Sequence, residues 1–410
     1  MKTTGVIAEY NPFHNGHAYH ILTSKKRTRS DYAVVVMSGD FVQRGAPALI
    51  DKYTRTRMAL ESGADLVLEL PVRYALGSAE FFASGGVSLL DVLGVVDFLS
   101  FGSEEGEISP LSDIASILYR EPENFQEILR HEVSRGLSFP AARQQALLSC
   151  FPDKSEAFGK ILSSPNNILG IEYLKALLRF GSSITPCTLK RKESQYHQEE
   201  LTKTCSSASA LRRHVKDEKI NVLPSQMPQP SWNLLNDAYK KREIAWTDDY
   251  SLLLKYKLMT ETSDSLTHYQ DISADLANRI IDRQNHLNTF ESFISLLKTR
   301  QMTHSRIARA LFHLLLNIPA FSLSADSRRV TPYARILGFK KEAVPLLHEI
   351  KKKSSVPLIS KTAGAQSVLS LEAASMLKED IWCSNLYESV MAIKNQRPFR
   401  HEASRPLVIY

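Results

Sequence analysis

Cysteine is scarce and scattered. Cys150, Cys187, Cys205 and Cys383 include no Cys-x-x-Cys pair, which argues against a structural zinc site and a secreted disulfide framework and leaves mostly buried thiols as the expectation. Long apolar runs are missing as well. The stretch from Ala310 to Phe321 is interrupted by His313 and Asn317 and falls short of the ~18–20 residues that a spanning helix needs. Met1 to Pro12 carries one lysine and a short strand-like run, too short and too polar for a signal peptide with its cleavage site, so a cytoplasmic protein without membrane contact is expected. With 17 glycines and 18 prolines in 410 residues there is no collagen-like repeat or low-complexity tract. What is present, 43% hydrophobic and 23% charged side chains, suits a chain of two or three domains with real cores.

Charge is unevenly placed. Residues 1–230 carry 26 basic and 26 acidic side chains, whereas residues 231–410 carry 25 and 18, so the whole excess of +7 lies in the C-terminal part. Between Arg283 and Lys361 the count is 14 basic against 4 acidic, a concentration that suits a polyanion partner, with a plain solubilising surface as the alternative.

The first hundred residues alternate short β-branched runs with helical patterns. Strands are expected at Thr4–Glu9, Tyr32–Met37, Leu66–Leu70 and Asp97–Phe101, and helices at His17–Arg29, Lys52–Ser62 and Ser78–Leu93. That alternation predicts an α/β, Rossmann-like parallel sheet whose ligands bind beyond the carboxyl ends of the strands. Helical punctuation follows from Ile108 to Phe180, a strand at Ser183–Leu189 and a helix at Ser206–Lys216. Pro224, Pro228 and Pro230 mark a linker over 221–231 between a nucleotide-binding domain, 1–220, and a mainly helical basic domain, 232–410.

The sharpest local feature is Tyr10-Asn11-Pro12-Phe13-His14-Asn15-Gly16-His17, placed after the first strand and before a helix. Pro12 turns the chain, Gly16 lets a ligand approach the backbone, and the helix start offers unpaired N–H groups and a positive dipole end. Two imidazoles there can donate to phosphate oxygens as charge grows on them. A zinc role is disfavoured because no third ligand cluster lies nearby, so no metal ligands are expected.

His14-Asn15-Gly16-His17 resembles the His-x-Gly-His signature of the nucleotidyltransferase superfamily, and Ser206-Ser207-Ala208-Ser209-Ala210-Leu211-Arg212 resembles its second, serine-rich signature, with Ala208 where many members have threonine. Glu9 to His17, Met37 to Gly45, Gly63 to Pro71, Phe101 to Glu104, Ser164 to Gly170 and Lys190-Arg191 together resemble the bacterial tRNA(Met) cytidine acetate ligase family. The resemblance implies activation of acetate by ATP, with Mg²⁺, to acetyl-adenylate, followed by acetylation of N4 of the wobble cytidine of elongator tRNA(Met). It implies His14, His17 and Arg212 as catalytic groups. ATP is placed along Ile7, Ala8 and Glu9, the histidine loop itself, and Ala18, Tyr19 and His20, with Gly102, Asn167, Lys190, Arg191, Ser206 and Ser207 as further contacts.

Asp40, Gln43 and Arg44, on the second cleft loop, are candidates for an acetate or cytidine pocket. Lys298, Arg300, Arg306, Arg309, Arg328, Arg329 and Arg335 are candidates for tRNA contact. Two other functions compete: an adenylyltransferase acting on a small phosphorylated acceptor, and a non-catalytic RNA-binding protein with the same fold.

Overall fold

The computed structural model describes residues 1–191, 207–299, 301–323 and 330–410. Its centre is an eight-stranded sheet built from β1 (Thr3–Ala8), β2 (Tyr32–Ser38), β3 (Leu66–Leu70), β4 (Phe98–Ser103), β5 (Thr185–Lys190), β6 (Ala334–Phe339), β7 (Leu358–Ile359) and β8 (Val408–Ile409). The order is β8-β6-β3-β2-β1-β4-β5, with β7 also paired to β6. From β3 to β5 every pairing is parallel. Both faces are covered, which is why Ala33 to Met37 is apolar throughout: Val34 and Val36 enter one core, Ala33, Val35 and Met37 the other.

The helices that matter here are α1 (Asn15–Thr28), α2 (Lys52–Glu61), α3 (Ala79–Val92), α4 (Pro165–Phe180), α5 (Ala208–Lys216), α6 (His304–Leu315) and α7 (Leu371–Lys394). β1 and β4 are neighbours, but the chain leaves β1 towards β2 and leaves β4 towards β5. The gap between their carboxyl ends is therefore the topological switch point, where an open α/β sheet holds its ligand.

Two expectations about organisation change. Residues 232–410 do not form a separate helical body, because β6 pairs antiparallel with β3 and brings β7 and β8 into the same sheet. Nor is 221–231 a free tether. A short turn at Ile220–Val222 is followed by a second that opens on Pro224, Pro224–Gln226, and by the helix Gln229–Lys240, which Pro228 and Pro230 start, while Leu223, Gln226 and Met227 are buried. Proline suits helix starts because the first N–H groups have no intrahelical partner. Of the described cysteines, Cys383 alone is buried, whereas Cys150 and Cys187 are half-buried. No helix among the described residues is long and apolar enough to cross a membrane.

The helical part packs its own aromatic core around Phe41, which lies 5.8, 5.6 and 6.2 Å, centroid to centroid, from Tyr250, Phe312 and Tyr387. Phe41 belongs to the hairpin Phe41–Val42/Ala46–Pro47, so the second cleft loop is pinned to the helices. Gly45 tightens the joint. It sits at φ +77°, and a Cβ there would lie 2.3 Å from the backbone nitrogen of Arg309.

Candidate active site

The histidine loop leaves β1 through Tyr10 at φ 49° and a cis Asn11–Pro12 bond. Tyr10, Pro12 and Phe13 are buried, and the Tyr10 and Phe13 rings flank His17 at 4.8 and 5.5 Å. Asn11 ties the loop down by accepting from the Leu49 N–H through Oδ1, 2.8 Å. Asn15 donates to the Ser225 carbonyl, 2.9 Å. His14 then caps α1, its Nδ1 accepting from the Gly16 N–H at 3.1 Å, while His17 Nδ1 accepts from the His14 N–H at 3.3 Å. The two imidazoles stack at 3.7 Å.

These caps fix the chemistry of the rings. A nitrogen that accepts a hydrogen bond carries no proton, so in each neutral ring the proton is on Nε2, and Nε2–H is the donor left to a ligand. The rings are neutral because burial, assisted by Arg191 and Arg212, lowers His14 to about 3. Burial, then His14, Arg191 and His20, lowers His17 well below the ordinary value. Burial and Arg191 bring His20 to about 4, and its Nε2 lies 3.1 Å from Ser100 Oγ.

The second signature arrives from far along the chain. Ser207 caps α5, accepting from the Ala210 N–H at 3.2 Å, and Arg212 donates to the Asn11 carbonyl at 2.6 Å and to Ser209 Oγ at 3.2 Å. Arg212 is thereby fastened to the histidine loop itself. Beneath both, Arg55 of α2 donates to the carbonyls of Glu9, 2.7 Å, and Ser38, 2.9 Å, and to that of Gly39. It holds together the carboxyl ends of β1 and β2, a buried role with no signal in the sequence, where it is one of three cations in a polar helix, Lys52–Glu61.

A cleft of about 430 Å³ lies at the switch point. Ile7, Ala8, Glu9, Tyr10, Asn11, His17 and His20 line one side, and Gly102, Arg191 and Ala208 continue it. An apolar wall from Phe82, Phe101, Ile168, Leu169 and Tyr173 gives a flat base somewhere to stack. Gly102 matters here, since a Cβ would meet Arg191 at 3.3 Å. Gln43, Arg44, Ser305 and Arg309 complete the lining.

Other expected contacts sit elsewhere. Asn167 is buried, with Oδ1 accepting from the N–H groups of Glu104 and Glu105 at 2.9 and 3.0 Å, so it shapes the loop after β4; its neighbour Asn166 lines the cleft. Lys190 is exposed and lies over Gly106. Tyr19 is exposed, Ala18 half-buried.

Asp40 does not line the cleft. It accepts from the Lys52 N–H at 2.9 Å and belongs to a buried cluster in which Lys52 Nζ lies 2.7 Å from both Glu69 and Glu402 and 3.8 Å from Asp40. Arg335 joins that cluster through Glu69 at 2.7 Å and through Glu402. It is 4% exposed, so it is not a surface cation for RNA: a strand in the middle of the sheet has no solvent face. Lys298 is exposed and Arg306 half-buried. Ser206, Arg300, Arg328 and Arg329 lie outside the described residues.

Among the described residues Glu9 is the one carboxylate lining the cleft, and no cluster of three metal-ligating side chains occurs among them. A lone carboxylate suits the Mg²⁺ expected with ATP, since that ion is held mainly through substrate phosphates and few carboxylates.

Comparison with known proteins agrees with this geometry. The family model described as HIGH Nucleotidyl Transferase matches residues 1–402. The chain is 41% identical over 401 residues to a tRNA(Met) cytidine acetate ligase of Acetivibrio thermocellus, covering 96% of each chain, and 41% identical over 409 residues to one of a Thermoanaerobacter species, covering 100% of each. It superposes with a TM-score of 0.91 on a crystal structure of Thermotoga maritima TmcAL bound with alpha-thio ATP, 30% identical, with all of both chains covered. The apo form of that protein gives 0.93. By fold, by signatures and by full-length similarity, the chain belongs to the tRNA(Met) cytidine acetate ligase family of HIGH nucleotidyl transferases.

Proposed function

We propose that this protein activates acetate with ATP and transfers the acetyl group to N4 of the wobble cytidine of elongator tRNA(Met). The observation that carries the reading is the pair of stacked imidazoles whose Nδ1 atoms cap α1, leaving two Nε2–H donors at a helix start beside Arg191 and Arg212. In the first step an acetate oxygen attacks the α-phosphorus. The bond to the bridging oxygen breaks, and its electron pair leaves with pyrophosphate. Both reactants are anions, so the barrier falls when donors and cations offset the charge and hold the groups in line. Neutral Nε2–H donors suit this, because they strengthen as the leaving oxygens gain charge and need no proton transfer.

In the second step the cytidine amine attacks the acetyl carbonyl, the carbon–oxygen bond to AMP breaks, and the amine proton passes to solvent. The cytidine must be splayed from its neighbours, which a single-stranded anticodon loop allows. Lys298, Arg306 and the exposed run Lys351 to Lys353 give the RNA backbone a landing surface. No step here rests on the metal.

The test is pyrophosphate exchange into ATP with and without acetate, followed by transfer to tRNA. Exchange that requires acetate, with product on a cytidine, is expected. Exchange driven instead by a phosphorylated acceptor would replace this reading with the adenylyltransferase one, and tRNA binding without any exchange would replace it with the non-catalytic one.

A further inference from the structure

The cleft has a second cationic wall, and it comes from the C-terminal half of the chain. Arg309 projects from α6 into the lining beside Gln43 and Arg44, and its side chain is 14% exposed. Nε donates to Asp271 Oδ2 at 3.1 Å. Among the described residues the two terminal amino groups of Arg309 have no hydrogen-bond partner. Asp271 sits at φ 64°, a left-handed conformation that aspartate adopts more readily than most residues. One turn beyond Arg309 on the same helix, His313 is fully buried, with Nδ1 3.1 Å from the Gln270 carbonyl and 3.7 Å from Asp271 Oδ2. The guanidinium is thus braced from behind and open in front. The contact of Gly45 with the Arg309 backbone fixes the height of the helix over the hairpin.

The arrangement leaves cations on two walls of one cleft. Arg191 and Arg212 serve the histidine side, as their influence on His14 records, while Arg309 borders the wall made by the hairpin and α6. A reaction between two anions needs both to be held at once, and a planar guanidinium fork matches a carboxylate.

We propose that Arg309 binds the carboxylate of the small acid that is activated, and that Asp271 is a positioning residue that orients the guanidinium. This rests on the function proposed above, and it moves Arg309 from the RNA surface into the acid pocket.

The experiment is acetate-dependent pyrophosphate exchange by the full chain, with KM determined separately for acetate and ATP, and with tRNA affinity measured in parallel. Arg309→Ala is expected to raise the acetate KM roughly tenfold or more, as loss of a charge-assisted contact does. ATP KM, tRNA Kd and the melting temperature should stay close to wild type. Arg309→Lys, which keeps charge and loses the fork, should fall between, and it carries the test if the alanine variant does not fold. Asp271→Asn should also raise acetate KM, and added guanidinium ion should lower it again for Arg309→Ala. An unchanged acetate KM, an equal rise in ATP KM, or lost tRNA affinity alone would each overturn the assignment. If wild-type exchange ignores acetate, the functional reading falls and the inference with it; if wild type requires acetate and Arg309→Ala does not raise the KM, only the inference falls.

Discussion

The histidine loop and the cluster around Lys52 are both polar and deeply placed, yet burial acts on them in opposite senses. Around the histidines there are cations and no close carboxylate partner, so protonation would add charge to a positive, dry site, and the rings stay neutral. Around Lys52, burial and Arg335 push the ammonium towards neutrality, but Glu402, Glu69 and Asp40 push it further the other way. Glu402, which burial alone would raise, is pulled down to about 2 by Lys52 and Arg335. The acids outnumber their partners, and the surplus shows: burial raises Asp40 to about 6, with Glu402 and Glu69 adding to it. Depth alone therefore does not decide the charge state. The local ratio of acids to bases does, and the two sites use it differently, one to keep donors neutral and one to lock β3, β6 and α2 together.

Replacing Lys52 breaks the comparison most severely. Lys52→Met leaves Glu69 and Glu402 to share Arg335 and takes away the ammonium beside Asp40, and should cost about 3–5 kcal/mol, read as a lower urea midpoint. On the other side, His17→Ala removes one donor and should lower the rate of adenylate formation by a factor of about 10²–10³. Its tRNA affinity should stay within twofold and its melting temperature near wild type; equal loss of both activities would contradict the division of labour. The smallest effect sharpens the electrostatic contrast. His14 has a lower pKa folded, about 3, than its ordinary 6.5, so between those values the unfolded chain binds more protons. Its stabilising contribution is complete above pH 6.5 and is lost as pH falls. His14→Asn keeps a capping acceptor without the titration. Between pH 7 and 5 the wild type should therefore lose about 2 kcal/mol more stability than this variant, measured by denaturant melts at the two pH values.

Much of the catalytic side is legible in the sequence because it is contiguous. Residues Tyr10 to His17 carry the turn, the cap and the donors in eight positions, and the four strands β1 to β4 announce themselves as short, largely apolar runs between helical patterns. Element ends shift by only one or two residues, as with His17–Arg29 against the observed Asn15–Thr28. What escapes is whatever depends on distant pairing. β6 is a short apolar run, Ala334 to Phe339, whose antiparallel place beside β3 has no local signature, and Arg335 within it reads as a surface cation because a charge count carries no information about depth. Arg309 is a similar case. Its spacing from Arg306 suggests one basic face, but a helix turns about 100° per residue, and only the docking of the Phe41 hairpin decides which of the two enters the cleft. Asn167 reads in sequence either as a nucleotide contact or as a helix cap, and its side chain clamps the loop after β4.

The caps on α1 have a consequence for side reactions. Imidazole is a strong nucleophile towards mixed anhydrides, and its attacking atom is the nitrogen with the free lone pair. In His14 and His17 that atom is Nδ1, and in both it already faces a backbone N–H. A freshly made acyl phosphate in this cleft would meet only protonated edges of these rings, so under the proposed mechanism the residues that would help create it are poorly disposed to intercept it, and wasteful acyl-imidazole turnover would be suppressed by the way the helix begins.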